Sequence, residues 1–207
     1  MTVTKIEEMD KRRVRVFIDQ EFAFVLYKGE LRLYEVKEGQ EIDGKAYRDI
    51  MEEVLPKRAK LRSMNLLKTK TYTEKQMRDK LKKGEYPESI ITEAVEYVKS
   101  YGYIDDRKYV RDFLEYNMEN KSRKRMEQDL YSKGIDKNII RETMDAVFEN
   151  GNVPDEIAMA EKILRKKNYD SNVATSKERQ KIAAFLYRKG FQMETIRRVL
   201  LLDITSN

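Results

Sequence analysis

Hydrophobic and polar residues alternate over two short stretches near the amino terminus. Val14, Val16 and Ile18 form the first, Phe22, Phe24 and Leu26 the second, with the polar pair Asp19–Gln20 between them. A period of two marks strands with one buried face, and the polar pair marks a tight turn. Strands are predicted near 3–9, 12–18 and 22–27. The stretch KGELRLYEVKEG fits either a further strand or a short helix. From Gly44 onward the apolar spacing becomes helical.

The helical part repeats. Three segments superpose without gaps when Leu81, Leu130 and Leu186 are aligned: TEKQMRDKLKKGEYPESII, SRKRMEQDLYSKGIDKNII and SKERQKIAAFLYRKGFQMETI. One turn before each leucine, on the same helical face, stand Met77, Met126 and Ile182. After it come Tyr86, Ile135 and Phe191, then Ile91, Ile140 and Ile196. Each segment therefore reads as a helix, a turn and the start of another helix. The turn slot holds Gly134 and Gly190, which suits a left-handed helix stop. The first segment has Glu85 there, with Gly84 one place early, so a slightly different turn is expected.

The same register extends to YGYIDDRKY, whose adjacent aspartates invite a reading as an acid/base or metal pair. Shifted by one repeat it falls on NGNVPDEIA, so that Asp106 meets Asp155 and Asp105 meets Pro154. Proline cannot stand in for a catalytic carboxylate. Both residues suit a helix start, where Asp caps free N–H groups and Pro fits the first turn. Asp105 and Asp106 are therefore read as a structural helix cap, with a polar contact to a partner as the lesser alternative.

The predicted fold class is mainly α: a tandem repeat of three three-helix units forming an elongated array, with a small N-terminal β-hairpin element. The expected divisions are 1–43 for the β element, then 44–104, 105–153 and 154–207 for the helical repeats. An insertion around NYDSNVAT lengthens the first loop of the third unit.

Composition narrows the chemistry. The chain of 207 residues contains no histidine and no cysteine. That removes imidazole bases, Ser-His triads, thiolate zinc sites and disulfides. Carboxylate chemistry with magnesium, or no chemistry, remains. No apolar run is long enough to span a bilayer, and no secretory signal pattern opens the chain, so neither insertion nor secretion is expected.

Charge follows the repeat. Residues 57–83 carry a balance of +9, 84–118 of −4, 119–133 of +2, 134–160 of −4 and 161–198 of +7. Lys82, Lys83, Lys133, Arg188 and Lys189 all stand at the ends of second helices, and Arg123, Lys124 and Arg125 open one. Cations at a helix C-terminus complement its dipole, which is the plain structural reading of any one of them. Recurrence in phase with the repeat favours a basic stripe that meets phosphates or an acidic protein groove.

The stretch KTYTEKQMRDKL…ESIITEAVEYVKSYGYIDDRKYVRDFL resembles the RecX family of regulators of the RecA recombinase. The resemblance covers about residues 60 to 205, and DQEFAFVLY resembles the extension of the family's longer members. It implies a non-catalytic protein that lodges along the helical groove of the RecA–DNA filament or at its growing end; a cytoplasmic monomer without cofactor or metal is expected. Its implied partner is the RecA filament, with single-stranded DNA contacted weakly or within that filament. The implied outcome is less ATP hydrolysis, strand exchange and SOS coprotease activity.

Two other classes compete. Each unit's second helix, turn and third helix resemble a helix-turn-helix, which would make the chain a DNA reader. Third helices such as PESIITEAVEYVKS are acidic, against that reading. A magnesium nuclease is echoed by PDE at 154–156 with Glu161–Lys162, but these residues fall on a repeat-matched helix entry.

Overall fold

The computed structural model describes residues 1–149, 151 and 153–200. Positions 150, 152 and 201–207, which the sequence assigns to the second and third repeats, lie outside the described residues. The chain divides into two compact units, Met1–Asp105 and Asp106–Asn207.

The first unit opens with an antiparallel sheet in the order β1 (Val3–Glu8), β2 (Arg13–Ile18), β3 (Glu21–Tyr27). Asp19 and Gln20 turn the chain with φ of 49° and 73°, the paired positive values of the hairpin turn that matches strand twist. Val14, Val16 and Ile18 are buried, as their alternation predicts. Phe22 is not. The register shifts between Val16 and Phe17, so that Phe17 faces Phe22 while Val16 faces Phe24. Ala23 is thus the extra residue of a bulge, which breaks the period of two. Phe22 swings to the outer face, its ring edge-on to Phe17 at 5.8 Å.

The ambiguous stretch that follows is a helix, α1 (Lys28–Leu33), closed by a hydrogen bond from the Tyr27 N–H to Glu30 at 2.7 Å. Helix α2 (Gly44–Asp49), capped by Asp43, passes through a π-helical segment (Ile50–Val54) into α3 (Leu55–Leu67). Pro56 accounts for that segment: it lacks an N–H and its ring crowds the carbonyl four residues back, which wider π spacing relieves. The unit ends with α4 (Glu74–Lys82) and α5 (Glu88–Ser100). Sheet and helices share one core, in which Val16, Phe24 and Leu26 join Leu55, Met77, Leu81, Ile91 and Val95.

The second unit contains α6 (Asp106–Asn117), α7 (Arg123–Ser132), α8 (Lys137–Glu149), α9 (Glu156–Lys166), α10 (Ser176–Arg188) and α11 (Met193–Val199). It has two apolar clusters. Leu114, Met126, Leu130, Ile135 and Ile140 centre the first; Ala160, Leu164, Leu186, Phe191 and Ile196 centre the second. The aligned leucines Leu81, Leu130 and Leu186 are all fully buried. Each such side chain contributes roughly 1.5–3 kcal/mol through burial.

Side-chain caps begin each second helix. Thr73, Ser122 and Thr175 accept from Gln76, Arg125 and Glu178 N–H groups respectively. The cap of α10 stands three residues farther from its key leucine than the other two, so the third repeat has an added helical turn beside its longer loop.

The turns after these helices correct one expectation. Glu85 has φ +58°, beside +83° for Gly134 and +90° for Gly190. Its N–H donates to the Lys82 carbonyl at 2.8 Å, just as Gly134 donates to Tyr131 and Gly190 to Tyr187, both at 2.9 Å. The first repeat therefore makes the same left-handed turn, carried by a glutamate. Its strain is offset by Arg15 of β2, which grips the carboxylate with two hydrogen bonds of 2.6 Å.

Candidate functional site

The second unit holds a cleft of about 710 Å³ where the start of α7 meets the ends of α9 and α10. Packing at its floor is close. Ser122, the cap of α7, donates from its hydroxyl to the Lys189 carbonyl at 3.2 Å. Gly190 permits this approach, since a Cβ there would stand 2.7 Å from Ser122 Oγ and 3.0 Å from the Arg125 nitrogen. Gly190 is thus required both by its positive φ and by the helix pressed against it.

The cleft is strongly basic. Lys121 and Arg125 line it beside α7, Lys162, Lys166 and Lys167 beside α9, and Arg188 and Lys189 at the end of α10. Among the described residues that line it, the acids are Glu119 and Asp129. Asp129 binds two of the cations, Lys121 at 2.8 Å and Arg125 at 3.0 Å. Phe185 carries Lys167 at 4.3 Å and Lys189 at 5.7 Å over its ring. Lys162, Lys166 and Arg188 make no ion pair among the described residues. Such a concave surplus of positive charge focuses a field on an anionic partner, phosphate or carboxylate.

The predicted stripe is only partly gathered here. Arg125, Arg188 and Lys189 line the cleft. Arg123 is turned to structural work: its guanidinium meets Asp145 at 2.6 Å and lies over Phe148, and its N–H donates to Glu156. Lys124 lies over the Tyr187 ring at 5.3 Å. Lys133 ends α7 about 16 Å along the helix from Ser122 and rests over Tyr109 and Phe113. Lys82 and Lys83 belong to the first unit, where Lys82 pairs with Glu88 at 3.1 Å.

Lys121, Lys166 and Lys167 are not among the residues the sequence singles out, and Lys162 enters there only through the nuclease echo, not as part of the stripe. A local signal exists for two of them, since Lys162 and Lys166 share one face of α9 at a spacing of four. Nothing local tells that this face meets the end of α10.

The PDE part of the carboxylate–lysine echo sits at a helix entry, while Lys162 lines the cleft. Pro154 is buried, Asp155 caps α9 by accepting from Ala158 N–H at 2.9 Å, and Glu156 receives the Arg123 N–H. Helix α6 begins at Asp106, which sets Asp105 and Asp106 at its entrance.

Comparisons with known proteins agree on one family. Models described as the first, second and third three-helix domains of RecX match residues 59–97, 105–144 and 154–200. The chain is 32% identical over 202 residues to the regulatory protein RecX of Caldanaerobacter subterraneus, covering 97% of this chain and 98% of that one. It is 31% identical to the protein of the same name from Clostridioides difficile, covering 96% and 93% of the two chains. Its fold is similar to crystal structures of a regulatory protein RecX, with a TM-score of 0.58 over 96% of this chain, and of RecX from Lactobacillus salivarius, with 0.58 over 72%. Both structures are 23% identical to it.

Proposed function

The chain belongs to the RecX family, and from that premise we propose that it regulates the RecA recombinase by binding the RecA–single-stranded DNA filament. Binding lowers the filament's ATPase, strand-exchange and coprotease activities, and the chain performs no chemistry of its own. The observation that carries this reading is the near end-to-end similarity to proteins named regulatory protein RecX. The basic cleft supplies a matching chemistry. Lys162, Lys166 and Arg188, without an ion pair among the described residues, can meet phosphates or acidic side chains of a filament, and spread contacts of this kind add through multivalency.

A helix-turn-helix reader of duplex DNA fits less well. The helix that would enter the major groove in the first unit, α5, engages its acids with the unit's own cations: Glu88 with Lys82, Glu93 with Lys60 at 2.7 Å, and Glu96 with Lys99 at 3.0 Å. That face repels phosphate rather than reading bases.

The test is RecA ATP hydrolysis on single-stranded DNA with this protein added below stoichiometry. Steady-state hydrolysis is expected to fall. Hydrolysis left untouched over a range that saturates single-strand binding would overturn the reading.

A further inference from the structure

We infer that the first unit carries a docking surface for a cationic polypeptide segment, of a chemistry unlike that of the basic cleft and independent of the recombinase reading. Tyr97 and Tyr101 lie one turn apart at the end of α5, with ring centroids 5.0 Å apart. Gly102, at φ +70°, then reverses the chain and brings Tyr103 against Tyr101, nearly parallel at 6.1 Å. The three rings form a ladder, and its last two members are 62% and 51% exposed. None of them belongs to the unit's apolar core.

The ladder continues into a groove of about 420 Å³ between Tyr97 and the π segment with α3. Pro56, Leu61 and Met64 line its apolar part, and Leu61 is 61% exposed. Exposed tyrosines flanking an apolar groove have the composition of a protein interface rather than of ordinary surface.

Charge decides what fits. Lys60 is committed to Glu93 and to the Tyr97 ring at 5.2 Å, and Lys99 to Glu74 and Glu96, each at 3.0 Å. Glu52 and Glu53, on the groove wall, make no ion pair or hydrogen bond among the described residues, and neither does Lys57, which follows them along the same helical run. Free carboxylates beside electron-rich ring faces attract arginine or lysine, which can pair with the acid and lie on the ring together. The same carboxylates repel a phosphate backbone. The occupant is therefore an amphipathic segment with cationic side chains for Glu52, Glu53 and the tyrosines, and apolar ones for Leu61 and Met64.

The experiment measures fluorescence anisotropy of three labelled probes on the full chain: a short peptide alternating arginine and leucine, its glutamate–leucine counterpart, and an oligothymidylate. Wild type is compared with Tyr101→Ala/Tyr103→Ala and with Glu52→Gln/Glu53→Gln, both confined to exposed side chains. The arginine peptide is expected to bind wild type in preference to the glutamate peptide, and to weaken about tenfold in each double variant. Oligothymidylate binding should be the same in all three proteins. Equal binding of the two peptides, or arginine-peptide binding unmoved by both variants, overturns the inference. Loss of oligothymidylate binding in the tyrosine variant overturns it in favour of base stacking. Because no recombinase is present, none of these outcomes bears on the ATPase test.

Discussion

Arg15 and Glu85, far apart in the sequence, meet in a two-pronged ion pair with both hydrogen bonds at 2.6 Å. The pair ties the middle strand of the sheet to the turn after α4, and it holds a glutamate in the left-handed conformation that glycine adopts in the other two repeats. Left-handed backbone costs a residue with a side chain roughly 1–2 kcal/mol, so the pair and the strain oppose each other at one position. Arg15→Ala is therefore expected to lower the unfolding midpoint of the wild-type background and to leave that of Glu85→Gly nearly unchanged. Urea unfolding of both single variants and the double variant measures the coupling. Equal effects of Arg15→Ala in the two backgrounds would show that the pair adds nothing.

The same pair predicts a pH dependence. The hydrogen bond from Arg15 holds the Glu85 carboxyl below its ordinary value of 4.5. A group depressed by folding contributes stability above its unfolded pKa and loses it as pH falls through the folded one. The gap between wild type and Arg15→Ala should therefore be full near neutrality and close below about pH 4.5. A gap that stays constant into strong acid would assign the Arg15 effect to packing.

Gly102 and Gly190 share a positive φ but differ in surroundings. A Cβ on Gly102 meets nothing within 4 Å, whereas one on Gly190 meets Ser122 and Arg125. Gly102→Ala should cost about 1–2 kcal/mol from backbone strain alone. Gly190→Ala should cost about 2–4 kcal/mol, because strain and overpacking combine where α10 meets α7. Denaturant midpoints test the order, and a milder Gly190→Ala would mean that the α7 entrance yields.

Asp105 and Asp106 enter α6 where negative charge and a side-chain oxygen both favour a helix start. Asp105→Ala should destabilise by roughly 0.5–2 kcal/mol, while Asp105→Asn, which can still cap, should stay close to wild type. A folded Asn variant that fails to act on the filament would instead mark a charge-dependent contact.

These positions also mark what the sequence discloses. Leu81, Leu130 and Leu186 were legible because apolar residues at helical spacing have one place to go, and the turns followed from two glycines in phase. Glu85 was misread because its support lies seventy residues away in Arg15, beyond any local pattern. Phe22 was misread because a bulge inserts a residue without changing the run of apolar letters. The cleft was half legible: Arg188 and Lys189 stood out at a helix end, but Lys121 and Lys166 join them only when α7, α9 and α10 pack. Periodicity reports burial, and burial alone does not report which charged surfaces converge.

That convergence gives the sharpest test of the proposed interface. Lys162, Lys166 and Arg188 line the cleft without an ion pair among the described residues, whereas Lys82 is paired with Glu88 and Lys133 lies over aromatic rings outside the cleft. Lys162→Glu, Lys166→Glu and Arg188→Glu are expected to weaken binding to single-stranded DNA progressively as they are combined. If each cation neutralises one phosphate, the slope of log affinity against log salt should fall by about 0.7 for each reversal. Lys82→Glu and Lys133→Glu should leave that slope unchanged. Lys166 and Arg188 also complement helix C-termini, so their reversal costs a few tenths to about 1 kcal/mol of stability. Unfolding midpoints must therefore accompany the titrations. Should the filament be lost while the slope for DNA alone stays at its wild-type value, the cleft engages acidic side chains of the recombinase. Equal losses at Lys82, Lys133 and the cleft would return the contact to a diffuse stripe, and no loss at any of them would exclude the cleft's unpaired cations from the interface.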